Sequence, residues 1–297
     1  MIVTNKYGLP EPIVQAVSNN YTPTPNRYGV TSLLNGATQT ILKRRWNDVI
    51  VTDASDNIFA LFGKATHAIL ERQHVPNVLQ EYRIEVPAGD GISTISGIVD
   101  LYDLKTNTVI DYKTGSVWKV KFNDWKDYRA QIALYAWMLN QCGYPCHSGQ
   151  ITLIMKDHSK SEAKRDRSYP PHPVHVENFF FTDDELEEAH QKALQRISEI
   201  RELEDVPTEN LPPCAPESRW YSGTTYAVMN GKAKKALRVL CSEEEAQKWM
   251  EENKKGTHIV ERPGKDKRCI DYCDVAKFCP FWRMKYGQAD SENKQPV

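Results

Sequence analysis

Two aspartates and a lysine in one short stretch form the strongest candidate for chemistry in this sequence. Asp100 ends a Gly-x-x-Asp segment, and Asp111 and Lys113 form an Asp-x-Lys segment after a polar turn. Both segments are apolar and β-branched, which predicts a β-hairpin. If the turn centres on Lys105 and Thr106, Asp100 lies opposite Asp111. Two facing carboxylates repel each other unless a cation lies between them, so the pattern predicts a hard divalent metal site with an ammonium beside it.

The elements around the hairpin would position further polar side chains. A helix predicted over residues 57–73 carries His67, and a helix over residues 124–140 carries Gln131 and Tyr135 about one turn apart on one face. The order of helices, three strands, a helix and a further strand predicts a mixed sheet flanked by helices. Glu81, on the strand before the hairpin, is a weaker site candidate.

These motifs resemble the PD-(D/E)XK nuclease superfamily, and its RecB-like branch in particular. That branch includes the RecB and AddB nuclease domains and the iron–sulfur nucleases associated with CRISPR adaptation. It carries a His on a helix, a G-x-x-D strand, a D-x-K strand and a Q-x-x-x-Y helix, and this sequence matches each motif in that order. The resemblance implies an α/β fold with a restriction-endonuclease-like core, in which a mixed central β-sheet is flanked by helices.

The resemblance also implies roles for individual residues. Mg²⁺ or Mn²⁺ would be held by His67, Asp100, Asp111 and the backbone carbonyl of Tyr112, and the imidazole ligand favours Mn²⁺. Lys113 would orient or activate the attacking water. The expected catalytic residues are Asp100, Asp111, Lys113, Gln131 and Tyr135.

A second candidate site is a cluster of cysteines near the C-terminus. Cys269, Cys273 and Cys279 lie within eleven residues, a spacing that suits metal ligation. A closed site needs a fourth ligand. Cys214, in a Pro-rich loop, is the best candidate, and Cys241 is its alternative.

The resemblance favours a [4Fe–4S] cluster at these four cysteines, because the iron–sulfur members carry a C-terminal Cys triplet. The triplet here departs from their usual spacing, and no Cys precedes Cys142, whereas their first ligand precedes the active site. Zn²⁺ bound by the same thiolates is the alternative, and unligated thiols are a third interpretation. Either metal would staple the C-terminal region.

The chain of 297 residues suits one elaborated domain or two small ones. Composition predicts an N-terminal arm over residues 1–29, a nuclease core over residues 30–204, and a small C-terminal α/β unit with the Cys cluster over residues 205–297. The C-terminal part begins with a Pro-rich linker and continues as a β-hairpin, a helix and a strand.

The composition also bears on partners and compartment. The net charge of −1 gives no overall basic character, so DNA binding would depend on local patches. The sequence has neither an apolar run that could span a membrane nor a signal-peptide pattern, which predicts a cytoplasmic, reducing compartment.

The expected partner is DNA, as single strands or linear ends, with aromatic residues near the site to stack bases: Tyr112, Trp118 and Trp125. No P-loop motif occurs, so a helicase or recombination partner would be a separate chain. Recombination, repair and phage DNA processing are the expected settings. The alternative function is a non-catalytic DNA- or protein-binding module on a nuclease-like fold, and the clustered carboxylates argue against it.

Overall fold

The computed structural model describes residues 1–18 and 22–287. The chain divides into two compact units, Met1–Val206 and Pro207–Val297, which are described separately.

The first unit is built on a six-stranded mixed sheet, as the sequence predicts. The first unit has eight strands in all, which are β1 (Ile2–Thr4), β2 (Arg27–Gly29), β3 (Val51–Asp53), β4 (Val78–Pro87), β5 (Thr94–Asp103), β6 (Thr108–Gly115), β7 (Ser148–Met155) and β8 (Val174–Phe180). The main sheet has the order β2-β5-β6-β7-β8, and β4 pairs with β5, while β1 and β3 form a separate parallel pair. The helices are α1 (Glu11–Val17), α2 (Val30–Leu33), α3 (Ala37–Trp46), α4 (Ile58–Glu71), α5 (Val117–Lys121), α6 (Lys126–Gln141), α7 (Lys160–Arg165) and α8 (Asp183–Glu202).

Helix α6 packs closely against the sheet, and its residues from Gln131 to Leu139 are all buried. The close approach depends on a missing side chain, because a Cβ at Gly149 of β7 would lie 2.0 Å from Ile132. Helix α8 packs against α6 and begins with a capping box between Thr182 and Glu185.

One edge of strand β5 pairs with two different strands that diverge from each other, and this divergence is called the fork. Strand β4 pairs with the other edge from Thr94 to Asp103, so β2 and β6 must share the remaining one. The parallel pairing with β2 ends at Ser96, and the antiparallel pairing with β6 begins at Leu101, opposite Ile110. This β5–β6 register is the one predicted from the turn. Residues 97–100, including Asp100, therefore lie in the gap between two diverging strands.

Several short elements differ from the sequence expectations. Residues 1–29, expected as an extended arm, contribute β1, α1 and β2, and β2 joins the main sheet. The amphipathic pattern of residues 32–46 predicts one helix, but α2 and α3 are two helices, separated at residues 34–36. Helices α5 and α7 were not expected. Elements of three to six residues show no clear periodicity, so tertiary contacts decide whether they form.

The second unit contains a three-stranded antiparallel sheet with its first strand in the centre. Its elements are β9 (Thr225–Met229), β10 (Arg238–Leu240), α9 (Glu243–Asn253), β11 (His258–Arg262), α10 (Lys267–Asp271) and α11 (Pro280–Tyr286). The hairpin–helix–strand pattern agrees with the sequence prediction, and Cys269 lies within α10. Within the described parts of both units, no helix is long and apolar enough to cross a bilayer.

Candidate metal centre and active site

Three side chains converge at the fork in β5. One ligand atom each of His67, Glu81 and Asp100 lies within 4.8 Å of the other two. The Nδ1 of His67 is 3.4 Å from Asp100 Oδ1 and 3.5 Å from Glu81 Oε1. Helix α4 supplies the imidazole, and β4 and β5 supply the carboxylates. One nitrogen and two carboxylate oxygens suit a divalent transition metal such as Mn²⁺.

Glu81 reaches this group through a local distortion of β4. The β4–β5 ladder pairs Gln80 with Leu101 and Tyr82 with Val99, but skips Glu81 and Asp100. Glu81 has a φ of 45°, a left-handed conformation that costs a non-glycine residue on the order of 1–3 kcal/mol. The sequence gives no signal for this backbone conformation, which explains why the alternating pattern of the strand indicated only a weak candidate.

The second oxygen of Asp100 is fixed by the neighbouring strand. Asp100 Oδ2 accepts a hydrogen bond of 2.7 Å from the backbone N–H of Tyr112. Because the N–H and C=O of one strand residue point toward the same edge, the carbonyl of Tyr112 also faces the fork. The structure therefore brings Tyr112 next to Asp100, as expected for its predicted role as a backbone ligand.

Asp111 is not one of the three converging ligands, although it lies near enough to Asp100 and His67 for their charges to affect it. It is 3% exposed, and its Oδ2 lies 2.6 Å from Lys113 Nζ as an ion pair without hydrogen-bond alignment. Its Oδ1 accepts a hydrogen bond of 3.2 Å from Gln131 Nε2. Burial raises the pKa of Asp111, and the ammonium of Lys113 partly offsets this rise. The shared strand face predicted for Asp111 and Lys113 is present.

Gln131 and Tyr135 of α6 fill the fork. The Tyr135 hydroxyl lies near the side chain of Gln131 and the backbone N–H of Ile98, in the gap between β2 and β6. A Cβ at Gly97 would lie 2.4 Å from the Tyr135 ring, so glycine makes room for this aromatic residue. Burial raises the pKa of Tyr135 to about 12, so the phenol is neutral at physiological pH.

We expect metal binding at this centre to compete with a proton on His67. The hydrogen bond to Asp100 raises the pKa of His67 from its ordinary 6.5 to about 9, although burial opposes the rise. A ligating imidazole must be neutral, so Mn²⁺ should release about one proton per ion near pH 7.5 and progressively fewer as the pH passes 9. Titration of weakly buffered protein with a pH indicator would measure the release.

A His67→Gln protein is the control for this titration, because it lacks the proton to be released. Binding of Mn²⁺ without proton release in the unmodified protein would contradict the assignment. In the metal-free protein, the stabilisation from the raised pKa is fully present below pH 6.5 and is lost as the pH rises through 9.

Exposed aromatic residues lie on α5, next to the site. Trp118 is 53% exposed and stacks on Phe122, with the Nζ of Lys121 5.2 Å from its ring centroid. Trp125, also expected to stack bases, is instead buried against the ring of His175, so the expectation for this residue is wrong. Its position at the start of α6 turns the indole toward β8 rather than to solvent.

The cysteines of the second unit share one neighbourhood. The Cys269 thiol interacts electrostatically with the thiols of Cys214 and Cys279, and that of Cys273 with those of Cys269 and Cys214. Burial raises the pKa of Cys269 to about 11 and that of Cys273 to about 12, so both are protonated thiols without a metal. Cys241 is exposed. The four cysteines predicted as ligands are thus near one another.

A buried ionic network, which no sequence motif indicates, adjoins these cysteines. Asp266 is fully buried and pairs with Arg219, Lys285 and the hydroxyl of Tyr286. The Arg219 Nε also donates a hydrogen bond of 2.7 Å to the carbonyl of Cys214. The network therefore ties the loop that carries Cys214 to the segment before Cys269.

This chain is similar to known proteins through a family model and through solved structures. The model of the PD-(D/E)XK nuclease superfamily matches residues 35–218, well over half of the chain. The crystal structure of SSO0001 is similar at 17% identity with a TM-score of 0.43, over 60% of this chain and 78% of that one. A phage related exonuclease from Haemophilus somnus 129PT is similar at 12% identity with a TM-score of 0.32, over 64% and 92%. No curated protein matches.

Proposed function

We propose, since this chain belongs to the PD-(D/E)XK nuclease superfamily, that it hydrolyses the phosphodiester bonds of DNA with Mg²⁺ or Mn²⁺. The observation that carries the proposal is the convergence of His67, Glu81 and Asp100 beside the Asp111–Lys113 pair. A binding module would gain nothing from carboxylates placed where phosphates must approach.

The residues at the fork divide the work of hydrolysis. His67, Glu81 and Asp100 would hold the metal together with the carbonyl of Tyr112, and a bound divalent ion lowers the pKa of water and neutralises phosphate charge. Lys113 would orient the attacking water and stabilise the negative charge of the transition state. Asp111 keeps the ammonium of Lys113 in position.

Gln131 and Tyr135 act as positioning residues in this proposal. Gln131 holds the oxygen of Asp111 that Lys113 does not contact. Tyr135 supplies a hydroxyl to the gap in the sheet, where strand pairing is interrupted. Asp111 also remains a predicted metal ligand, as the resemblance implies.

Single strands and linear ends are the proposed substrates. The exposed stack of Trp118 and Phe122, with Lys121 beside it, offers the combination of aromatic faces and positive charge that binds unpaired bases. We expect the purified protein with Mn²⁺ to degrade linear single-stranded DNA and to leave covalently closed duplex circles intact. Gel analysis of end-labelled linear DNA and of circles in one reaction measures both.

The controls for this assay are EDTA and an Asp100→Ala protein, neither of which should support cleavage. Rapid nicking of closed duplex would contradict the preference for ends. Binding without any metal-dependent cleavage would instead establish the alternative function of a non-catalytic module on a nuclease-like fold.

The proposal extends to the cysteine neighbourhood, where Cys214, Cys269, Cys273 and Cys279 would bind a [4Fe–4S] cluster. The thiols lie close enough to one another to add to the rise that burial causes in the pKa of Cys269 and Cys273, as expected for ligands of one site. The C-terminal Cys triplet, which the iron–sulfur members of the resembled branch also carry, favours a cluster of several irons over the zinc alternative.

The RecB-like branch and a role in recombination, repair or phage DNA processing belong to the same proposal. The order of the His, G-x-x-D, D-x-K and Q-x-x-x-Y motifs supports the branch. A reducing intracellular compartment fits a cluster held by thiolates, and a helicase or recombination protein would act as a separate partner.

A further inference from the structure

A polar cavity that is separate from the metal centre lies in the first unit, beside the start of β5. Its volume is about 230 Å³, and it is bounded by β2, α2 and α3. Two guanidinium groups line it, those of Arg27 and Arg44, together with the hydroxyls of Ser32, Thr40 and Ser96. No carboxylate is among its lining residues in the described part of the chain. Positively charged guanidinium groups and hydroxyl donors together are typical of a site that binds an anion.

Arg44 is held in place but retains a donor without a partner. Its side chain is 16% exposed, its Nη1 lies 3.1 Å from Glu204 Oε2, and its guanidinium carbon is 5.1 Å from the centroid of the Tyr28 ring. Its Nε is buried and has no hydrogen-bond partner among the residues that the structure describes. Buried donors nearly always have partners, so the protein does not fully satisfy this guanidinium.

Arg27 adds a second guanidinium at the cavity. Its Nη2 lies 2.7 Å from Glu85 Oε1, and both side chains are partly exposed. A guanidinium carries five N–H donors, so one carboxylate leaves most of them available. Two guanidinium groups with several hydroxyl donors beside them can satisfy the many acceptor oxygens of a phosphate, and an apolar ligand would leave them unpaired.

We infer that this cavity binds a phosphate group of the nucleic acid while another phosphate occupies the metal centre; this rests on the proposed function. Ser96 of the cavity and Asp100 of the metal centre are four residues apart on β5, a distance of about 13 Å along a strand. Nucleotides of one strand rise about 3.4 Å each along a duplex axis. The cavity therefore holds the substrate a few nucleotides from the bond that is cut.

The test uses the full chain in EDTA, where no cleavage interferes, and measures binding by fluorescence anisotropy. The probes are oligothymidylates with a 5′-phosphate, with a 3′-phosphate and with neither, and inorganic phosphate is the competitor. Arg27→Gln should weaken binding by about tenfold or more through loss of a charge-assisted contact. Arg83→Gln is the matched control, because it removes the same charge from an exposed position on β4.

Two further variants separate recognition from folding. Glu204→Gln should strengthen binding, because it releases the guanidinium of Arg44, whereas a purely structural pair would give no gain. Ser96→Ala should weaken binding without changing any charge. Equal effects of Arg27→Gln and Arg83→Gln, together with no gain from Glu204→Gln, would overturn the inference.

The probes also identify the source of the phosphate. If the Arg27→Gln protein loses affinity only for the oligonucleotide with a phosphate at one particular end, the cavity binds a terminal phosphate. If it loses affinity equally for all three oligonucleotides, the cavity binds an internal phosphodiester. If added inorganic phosphate does not weaken the binding of any oligonucleotide, the inference is overturned. An unmodified protein that binds these probes through Arg27 but cuts no DNA with Mn²⁺ would refute the proposed function and leave the cavity assignment standing.

Discussion

We expect the Lys113→Ala and Asp111→Ala proteins each to lose metal-dependent DNA cleavage by about a thousandfold or more, because each removes one partner of the group that orients water and offsets transition-state charge. The ammonium of Lys113 lies 2.6 Å from the buried carboxylate of Asp111. Single-turnover cleavage of a labelled oligonucleotide with saturating Mn²⁺ measures the loss. Thermal unfolding of each protein shows whether the fold is retained.

Lys119→Ala is the matched control for this experiment. Lys113 and Lys119 face the same Tyr128 ring, with Nζ atoms 5.6 Å and 4.6 Å from its centroid, but Lys119 pairs with Asp124 instead of Asp111. Loss of Lys119 should change cleavage by a few-fold at most. Activity within about tenfold of the unmodified protein in either test variant would refute the assignment.

A [4Fe–4S] cluster held by four cysteines should dominate the stability of the second unit. A metal site that forms only in the folded state contributes its binding free energy to folding. We therefore expect serine at Cys214, Cys269, Cys273 or Cys279 to lower the iron and sulfide content and to speed proteolysis after Glu204. Iron and sulfide analysis, the visible absorption of anaerobically purified protein and limited proteolysis measure these effects.

Cys241→Ser is the matched control, since Cys241 is an exposed cysteine of the same unit. Iron-free protein that remains stably folded would refute the cluster, and zinc in protein made without oxygen would establish the alternative metal. Full iron content in Cys214→Ser would assign the fourth ligand to Cys241.

The sequence predicts the centre of the fold well because its strands and helices are long enough to show periodicity. The β5–β6 hairpin register follows from a short polar turn and two apolar runs, and it places Asp100 in line with Asp111. The spacing of Gln131 and Tyr135 predicts a shared helix face, and both side chains reach the fork. Short elements such as β2 and α5 depend on tertiary contacts that local sequence does not contain.

The candidate site is less predictable than the fold, because it depends on departures from regular geometry. The left-handed backbone of Glu81 turns its carboxylate toward His67 and Asp100. Neither composition nor alternation signals such a conformation. The buried network around Asp266 is equally hidden, because its partners Arg219 and Lys285 lie far from it in sequence.

The fork in β5 also makes two backbone amides into reporters of the site. Tyr112 donates its N–H to the carboxylate of Asp100, and the N–H of Ile98 lies near the hydroxyl of Tyr135. Most strand amides exchange with solvent only when the ladder opens, but these two are protected by side chains of the site. Their deuterium exchange rates therefore record the state of Asp100 and Tyr135, and through them whether the centre is assembled, without any substrate being cut.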